Sequence, residues 1–296
     1  METLLGQGRA AIDLIVDAGS FTEGTVGARS FEDPDFGPGA VVGTALLDGE
    51  TVTVIASDAE AFNEKFPVVY SGIIGMEEGY KMAQAVYATL AADAEKAAAK
   101  KRPIVLIVDT PGNGPGKVEE LFGMNKATGA YQLTLAEARL AGHPIVAMVV
   151  GRAISGAFLC HGLQADRILS LTSEFQTMIH VMPITSVSRI IKKDVELLEE
   201  LAKANPVFAA GPAFFFKLGG VERLVETIDG MRPAIAAQIA DIRKAKSEGA
   251  ATALTGPRGR GALGAERGGR TVRPKVQDLL RSEFAAVEER FRPRLA

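Results

Sequence analysis

Two glycine-rich segments, each following a short apolar run, contain residues whose types and spacing favour chemistry. They are Asp109-Thr-Pro-Gly-Asn-Gly-Pro-Gly116 and Gly151-Arg-Ala-Ile-Ser-Gly-Ala157. Glycine allows a backbone to approach a ligand closely, and the first N–H groups of a helix lack intrahelical acceptors. Because such donors stabilise negative charge on an oxygen atom, the sequence predicts two opposed oxyanion-binding loops. The predicted catalytic donors are Gly112, Asn113, Gly156 and Ala157, and the residues predicted to contact the bound ligand are Gly114, Gly116 and Arg152.

Ser155 and His180 form a second candidate pair. The segments 151–159 and 178–180 are similar to the serine and histidine segments of Clp-type peptidases. In that interpretation the imidazole activates the hydroxyl as a nucleophile. The G-x-S-x-G motif of other serine hydrolases is absent, since alanines replace both flanking glycines. A structural alternative, with Ser155 capping a helix and His180 buried and hydrogen-bonded, remains open.

The remaining histidines and the single cysteine are not spaced for metal or thiolate chemistry. Cys160 and His161 are adjacent on a predicted helix and point about 100° apart, so they cannot form a local pair. Cys160 is therefore predicted in the core, His143 in a loop, and no structural metal is predicted. One cysteine cannot form an internal disulfide, which favours a reducing, cytoplasmic location.

The elements that position these residues follow an alternating pattern. Short, continuously apolar runs predict strands that are covered on both faces, and the segments between them have helical spacing. Repeated strand–helix–strand units indicate an α/β fold with a mostly parallel sheet flanked by helices. The predicted strands are 103–109, 144–150 and 166–171, and the intervening helices are about 128–140 and from Ser155.

Further elements surround this unit. Asp48-Gly49 lies between two short apolar runs, 41–47 and 51–56, and predicts a β-hairpin. Apolar spacing predicts the other helices, of which the last two are expected to lie outside the sheet core. These helices are 1–18, one from Met76, 187–204, 232–247 and 275–291.

Charge is divided unevenly along the 296 residues. Positions 231–296 hold 14 Lys and Arg against 7 Asp and Glu, whereas the first 230 residues hold 19 against 29. The basic excess is densest from Arg258 to Lys275, where arginine alternates with glycine, so a mobile loop that is dispensable for folding is predicted there. Without interleaved aromatic residues it does not indicate nucleic-acid binding. No apolar run reaches the roughly 20 residues that a membrane span requires, and the N-terminus does not resemble a signal peptide.

Seven motifs between residues 66 and 167 are specific in combination. They are Phe66-Pro67, Gly75-Met-Glu-Glu-Gly79, the run 104–109, Glu119-Glu-Leu-Phe-Gly123, Ala138-Arg-Leu-Ala-Gly-His-Pro144, the segment 151–162 and Gln164-Ala-Asp-Arg167. Together they resemble one protein family, the gamma subunits of malonate decarboxylase, which belong to the crotonase-like acyl-CoA carboxyltransferases. The resemblance covers about residues 43–229. It departs after His180, where Val181-Met-Pro183 follows, and no counterpart is identified after residue 230.

This resemblance implies a crotonase/ClpP-like fold of repeated ββα units over residues 1–230, followed by a helical, basic Gly/Arg-rich extension at 231–296. It implies that a beta-type subunit completes the site and that malonyl thioester, on a CoA-derived group of an acyl-carrier subunit, is decarboxylated to acetyl thioester. An acyl-transferase subunit is a further implied partner. His180, or Ser155 relayed by it, is the expected proton donor to the enolate. Three alternatives remain open: transfer of the carboxyl group to biotin, a ClpP-like Ser/His hydrolase, and a non-catalytic scaffold subunit whose loops only brace a partner's site.

Overall fold

A mixed, mostly parallel sheet forms the centre of the molecule. The computed structural model describes residues 3–204, 210–249 and 255–292. The strands are β1 (Thr22–Glu23), β2 (Thr25–Val26), β3 (Arg29–Ser30), β4 (Ala40–Leu47), β5 (Glu50–Ser57), β6 (Ile104–Thr110), β7 (Ile145–Ile154), β8 (Arg167–Leu171), β9 (Met178–His180) and β10 (Arg223–Val225). Within the described residues, eight of them form one sheet in the order β1-β4-β5-β6-β7-β8-β10, with β9 paired to the end of β7.

Helices cover both faces of this sheet. They are α1 (Gly8–Ile15), α2 (Met76–Ala92), α3 (Lys117–Phe122), α4 (Met124–Leu140), α5 (Ser155–Cys160), α6 (Ile184–Ile191), α7 (Val195–Ala204), α8 (Pro212–Lys217), α9 (Met231–Ser247), α10 (Gly256–Glu266) and α11 (Arg273–Ala285). Helices α2, α4 and α5 share one apolar cluster with the sheet, and α1 and α9 share another on the opposite face. None of the described helices is long and apolar enough to cross a membrane.

The predicted fold class is confirmed by the strand pairings. Strands β5, β6, β7 and β8 run parallel to one another in sequence order. The hairpin of β4 and β5 is antiparallel and turns at Asp48-Gly49, with φ angles of 51° and 76°. Positive φ at both central residues is the requirement of the tight hairpin turn that an Asp-Gly pair favours.

Helix α9 corrects the expectation that the segment 232–247 lies outside the sheet core. Met231, Ile235 and Ile242 on its inner face are fully buried, in one cluster with Met148 of β7 and Leu169 of β8. Burial of such side chains contributes roughly 1.5–3 kcal/mol each. Helix α11, in contrast, has no buried residue and lies outside the core as predicted. The segment predicted as one helix, 187–204, is divided into α6 and α7, since Lys192 adopts a φ of 53° and ends α6.

The prediction of a mobile loop from Arg258 onward is wrong. Residues 256–266 form α10, and Arg260 in it is 7% exposed and donates hydrogen bonds to the carbonyls of Ala165 and Leu163. A Cβ added to Gly264 would collide with the carbonyl of Leu218. The glycines of this segment therefore allow close helix packing.

Candidate active site

The two glycine loops lie at the same edge of the sheet. Strands β6 and β7 are parallel neighbours, so the loops that follow them are adjacent. A Cβ added to Gly112 would lie 3.8 Å from the Cβ of Ser155, and one added to Gly156 would lie 2.5 Å from Oδ1 of Asn113. The structure thus brings together four of the predicted site residues.

A short backbone bridge to Ile74 holds the first loop in place. The N–H of Ile74 donates to the carbonyl of Gly112 at 3.0 Å, and the N–H of Gly114 donates to the carbonyl of Ile74 at 2.9 Å. In this parallel arrangement the N–H of the intervening Asn113 points away from Ile74, and within the described residues no backbone acceptor bonds to it. The N–H of Gly112 is 3.3 Å from Oγ1 of Thr110. Asn113 therefore has a free donor at the second loop, whereas the N–H of Gly114 is engaged.

An ion pair that the sequence analysis missed connects the two loops. Oδ1 of Asp109 accepts hydrogen bonds from the backbone N–H and the Nε of Arg152, at 2.9 and 2.8 Å. The same guanidinium donates to the carbonyl and hydroxyl of Ser71 at 3.0 and 3.3 Å. Asp109 Oδ2 accepts from the N–H of Gly6 at 2.5 Å. The predicted ligand contact Arg152 therefore holds the end of β6, the start of the second loop and residue 71 in fixed positions.

The glycine that opens the second loop makes this pair possible. A Cβ added to Gly151 would lie 2.6 Å from Oδ1 of Asp109, so a side chain at this position would displace the carboxylate. Gly116, predicted to contact ligand, packs beside the side chain of Glu119 at the start of α3, and Gly114 packs against Gly75. The contribution of both glycines to ligand binding stays a prediction.

The second loop turns sharply from β7 into α5 at Ser155. This residue has a φ of 56° and an exposed side chain. The N–H groups of Gly156 and Ala157 lie in the first turn of α5, where no residue four positions earlier is helical. These two N–H groups and that of Asn113 are the donors that the geometry offers for a developing oxyanion.

His180 lies beside Ser155 because β9 pairs with the end of β7. The register places His180 opposite Ile154, the residue before Ser155. Its Nδ1 is buried without a hydrogen-bond partner among the described residues, and burial lowers the pKa of the imidazole below its usual 6.5. A Ser-His hydrolase orients its histidine through an acid at the far ring nitrogen. The described residues supply no such acid, and the Ser155 and His180 side chains are not hydrogen-bonded to each other in this part of the chain.

The other candidate nucleophile and bases are structural. His161 is buried, accepts a hydrogen bond from Tyr131 at Nδ1 (2.9 Å) and donates from Nε2 to the carbonyl of Ile107 (2.8 Å). Desolvation lowers the pKa of His161 to about 4 and raises the pKa of the buried Cys160 thiol to about 12. His143 lies in the predicted loop and is fully buried, with Nδ1 at 2.8 Å from the carbonyl of Arg102.

A buried carboxyl group lies behind the first loop. Glu78, in the first turn of α2, is fully buried and accepts hydrogen bonds from Asn63 and the N–H of Gly39 at 3.2 and 3.4 Å. Its second oxygen, Oε2, has no partner and lies against Gly75, which packs on Gly114. Burial raises the pKa of this carboxyl. The sequence motif 75–79 includes Glu78, but only the fold places this side chain against the loop 109–116.

The fold and the paired loops define the class: this is a crotonase-type carboxyltransferase fold with two glycine-rich loops at the ends of two neighbouring parallel strands. The chain belongs to the malonate decarboxylase gamma subunit family, whose model matches residues 70–284. That match continues past residue 230, which corrects the expectation that the resemblance ends there.

Individual relatives agree with this assignment. A malonyl-S-ACP:biotin-protein carboxyltransferase of Malonomonas rubra is 68% identical over 98% of this chain and 99% of its own length. A chain of a Pseudomonas malonate decarboxylase hetero-tetramer in complex with coenzyme A has a TM-score of 0.70 and 32% identity, covering 93% of this chain and 98% of that one. A chain of the Pseudomonas malonate decarboxylase hetero-dimer has a TM-score of 0.63 and 35% identity, covering 83% and 91%.

Proposed function

We propose that this chain is the gamma-type subunit of an enzyme that removes the carboxyl group of malonyl thioester on an acyl carrier and passes it to biotin on an acceptor protein. The choice of biotin as the acceptor rests on sequence identity to the relatives. The chain is 68% identical to the Malonomonas carboxyltransferase along nearly its whole length, against 32% and 35% for the two Pseudomonas malonate decarboxylase chains. Direct release of CO2 is the second candidate, supported by the family match.

The chemistry common to both routes is formation of a thioester enolate. When the bond between the carboxyl carbon and the α-carbon breaks, its electron pair moves onto the thioester oxygen. The N–H groups of Asn113 and Gly156, which lie on facing loops, are the proposed donors to that oxygen. Each donor of this kind lowers the barrier by roughly 3 kcal/mol when it is fixed before the reaction. The Asp109–Arg152 pair is the proposed means of fixing them.

Protonation of the enolate completes the reaction to acetyl thioester. The hydroxyl of Ser155 is the proposed donor, and its proton is restored through His180, which lies opposite Ile154. In the transfer route that proton comes from the ureido nitrogen of biotin, which loses its N–H as it takes up the CO2; when CO2 is released directly, it comes from water. Because burial lowers the pKa of His180, its imidazole is neutral near pH 7 and can accept or relay a proton in that form. Ser155 forms no covalent bond to the substrate in this reaction.

The proposed partners are a beta-type subunit that completes the site, an acyl-carrier subunit with a malonyl group on its CoA-derived thiol, and an acyl-transferase subunit that loads the carrier. The hetero-dimeric and hetero-tetrameric assemblies of the Pseudomonas relatives support the first. The proposed location is the cytoplasm. The single cysteine is buried, which is compatible with a reducing compartment.

The destination of the carboxyl group tests the proposal. The reconstituted complex receives acyl carrier loaded with malonyl labelled with ¹³C at the free carboxyl, with and without the biotinylated acceptor protein. We expect label on the biotin, a rate that depends on acceptor concentration, and loss of transfer when avidin covers the biotin. Label found only as CO2, at a rate unaffected by acceptor or avidin, would establish direct decarboxylation instead.

A further inference from the structure

A cavity of about 520 Å³ lies at the opposite edge of the sheet from the glycine loops. Its walls come from the ends of α4, α9 and α10 and from the segment before β6. The residues that line it are Ala98, Arg139, Leu140, Gly142, Lys246, Thr255, Pro257 and Arg258. Gly142 precedes β7, whereas Ser155 follows it, so the length of β7 separates the two places by roughly 30 Å. The volume is within the usual range for small-molecule sites.

Positive charge exceeds negative charge around this cavity. Arg139, Lys246 and Arg258 line it, and Arg260 lies buried in the adjoining turn of α10. Among the described residues, Asp166 is the one carboxylate that contacts any of the four, through Lys246 at 3.1 Å. Burial is the main cause that lowers the pKa of Lys246 and of Arg260, the latter to about 10; Asp166 opposes both shifts and the neighbouring Arg139 adds to them. Three cations line the cavity and one carboxylate of the described residues contacts them, so the uncompensated positive charge would attract a bound anion.

The cations differ in the hydrogen bonds that they can still offer. All three N–H donors of Lys246 are engaged, by the carbonyls of Arg139 and His143 and by Asp166. Arg139 gives one N–H to the carbonyl of Gln164, and Arg258 donates no side-chain hydrogen bond within the described part of the chain. Among the described residues, the two arginines thus have donor groups without an acceptor, planar and of the kind that bind phosphate oxygens.

The start of α10 completes the arrangement. The guanidinium of Arg139 lies against Gly256, where an added Cβ would be 3.5 Å from its Nε. Pro257 and Arg258 follow in the first helical turn, so the positive end of the helix dipole and two arginines meet at one wall of the cavity. Ala98, Leu140 and Pro257 contribute apolar surface.

We propose that this cavity binds a phosphorylated small molecule, with phosphate held by Arg139 and Arg258 and the rest of the molecule on the apolar wall of Leu140 and Pro257. A phosphate group satisfies several planar N–H donors at once and supplies the missing negative charge. The site is separate from the proposed carboxyl-transfer site, so ligand binding there does not depend on the proposed activity.

Binding of ADP, inorganic pyrophosphate and adenosine to the complex with the beta-type subunit tests this proposal by titration calorimetry. We expect ADP or pyrophosphate to bind once per chain and more weakly as salt is added, while adenosine binds far more weakly. Tighter binding of ADP than of pyrophosphate would support a ligand that also uses the apolar wall, whereas tighter binding of pyrophosphate would show an inorganic phosphate site and overturn the proposed role of that wall.

Two variants of Arg258 and a matched control test whether the ligand binds in this cavity. Arg258→Glu should weaken binding by about tenfold or more and Arg258→Gln by less, because the side chain is exposed and its loss leaves the core intact. Arg281→Glu makes the same charge change on α11, where the side chain is 77% exposed, and should alter binding by less than about twofold. Absence of binding, binding of adenosine as tight as that of ADP, or equal binding by Arg258→Glu would overturn the proposal.

Discussion

At the scale of single residues, Gly156 has two properties that substitutions can separate. Its N–H lies in the first turn of α5, where it has no helical acceptor, and its missing side chain leaves room for Asn113. Gly156→Ala adds a Cβ that displaces the Asn113 amide but keeps the N–H, whereas Gly156→Pro also removes the N–H. Proline is tolerated in the first turn of a helix.

We expect Gly156→Pro to reduce the kcat of the assembled enzyme by about 100-fold or more, with a smaller change in KM, as for an interaction made in the transition state. Gly156→Ala is the matched control and should lose less activity. Steady-state kinetics on malonyl-carrier measures this, after melting temperature and partner binding have been compared with wild type. Equal losses in the two variants would show that crowding of Asn113, and not the N–H, is responsible.

Two roles are open for Arg152: it positions the two glycine loops, or it contacts the ligand directly. Its Nε bonds Asp109 while its Nη atoms bond Ser71, a span that a lysine ammonium cannot reproduce. If it only positions the loops, Arg152→Lys should lower kcat roughly tenfold or more with KM nearly unchanged. A rise in KM with an unchanged kcat would instead support the direct ligand contact that the sequence predicts.

The buried His161 makes the stability of the protein depend on pH. The pKa of His161 is about 4 in the folded chain against 6.5 in the unfolded one, so between these values the unfolded chain binds a proton that the folded chain does not. The free energy of unfolding should therefore fall as pH decreases from 6.5 to 4, by up to about 3 kcal/mol from this residue. Urea unfolding across this range should show a shallower slope for His161→Gln. An unchanged slope would contradict the assignment.

At the scale of elements, α10 is the clearest test of packing. Arg260 bonds two carbonyls that precede β8, and its loss would remove this donor from the buried carbonyl of Ala165 and from the partly buried carbonyl of Leu163. We expect Arg260→Met to lower the free energy of unfolding by about 2–4 kcal/mol. The matched variant Arg258→Met, at an exposed position, should change it by less than about 0.5 kcal/mol. Similar small effects in both would restore the interpretation of this segment as a mobile loop.

The same elements show what sequence patterns could predict. Continuous apolar runs identified β6, β7 and β8 because strands covered on both faces exclude polar residues. The glycine loops followed from their positions at the ends of these strands. Glycine in α10 was misinterpreted, since the sequence does not distinguish a glycine that gives flexibility from one that allows Leu218 to approach. The Asp109–Arg152 pair spans 43 positions, and only the sheet register brings the two residues together.

At the scale of the whole molecule, the division of charge has an internal explanation. Arg232 pairs with Asp17 and Asp48, and Arg243 pairs with Glu50. Basic side chains after residue 230 thus meet acidic ones before it, and α9 packs against the sheet in the same region. The domain boundary at residue 230 stays a prediction. Because these ion pairs connect the segments on either side of it, we expect the two segments to unfold as one unit.

In the proposed enzyme, this chain contributes one set of enolate-stabilising loops to a site that a beta-type subunit completes. The most direct measurement is formation of acetyl-carrier from malonyl-carrier by each purified subunit alone, by the two mixed, and by the mixture containing Gly156→Pro. We expect no turnover by either subunit alone, activity that rises and saturates as the partner is added, and loss of that activity in the variant mixture although the subunits still associate. Full turnover by this chain alone, or full activity of the mixture containing Gly156→Pro, would contradict this proposal.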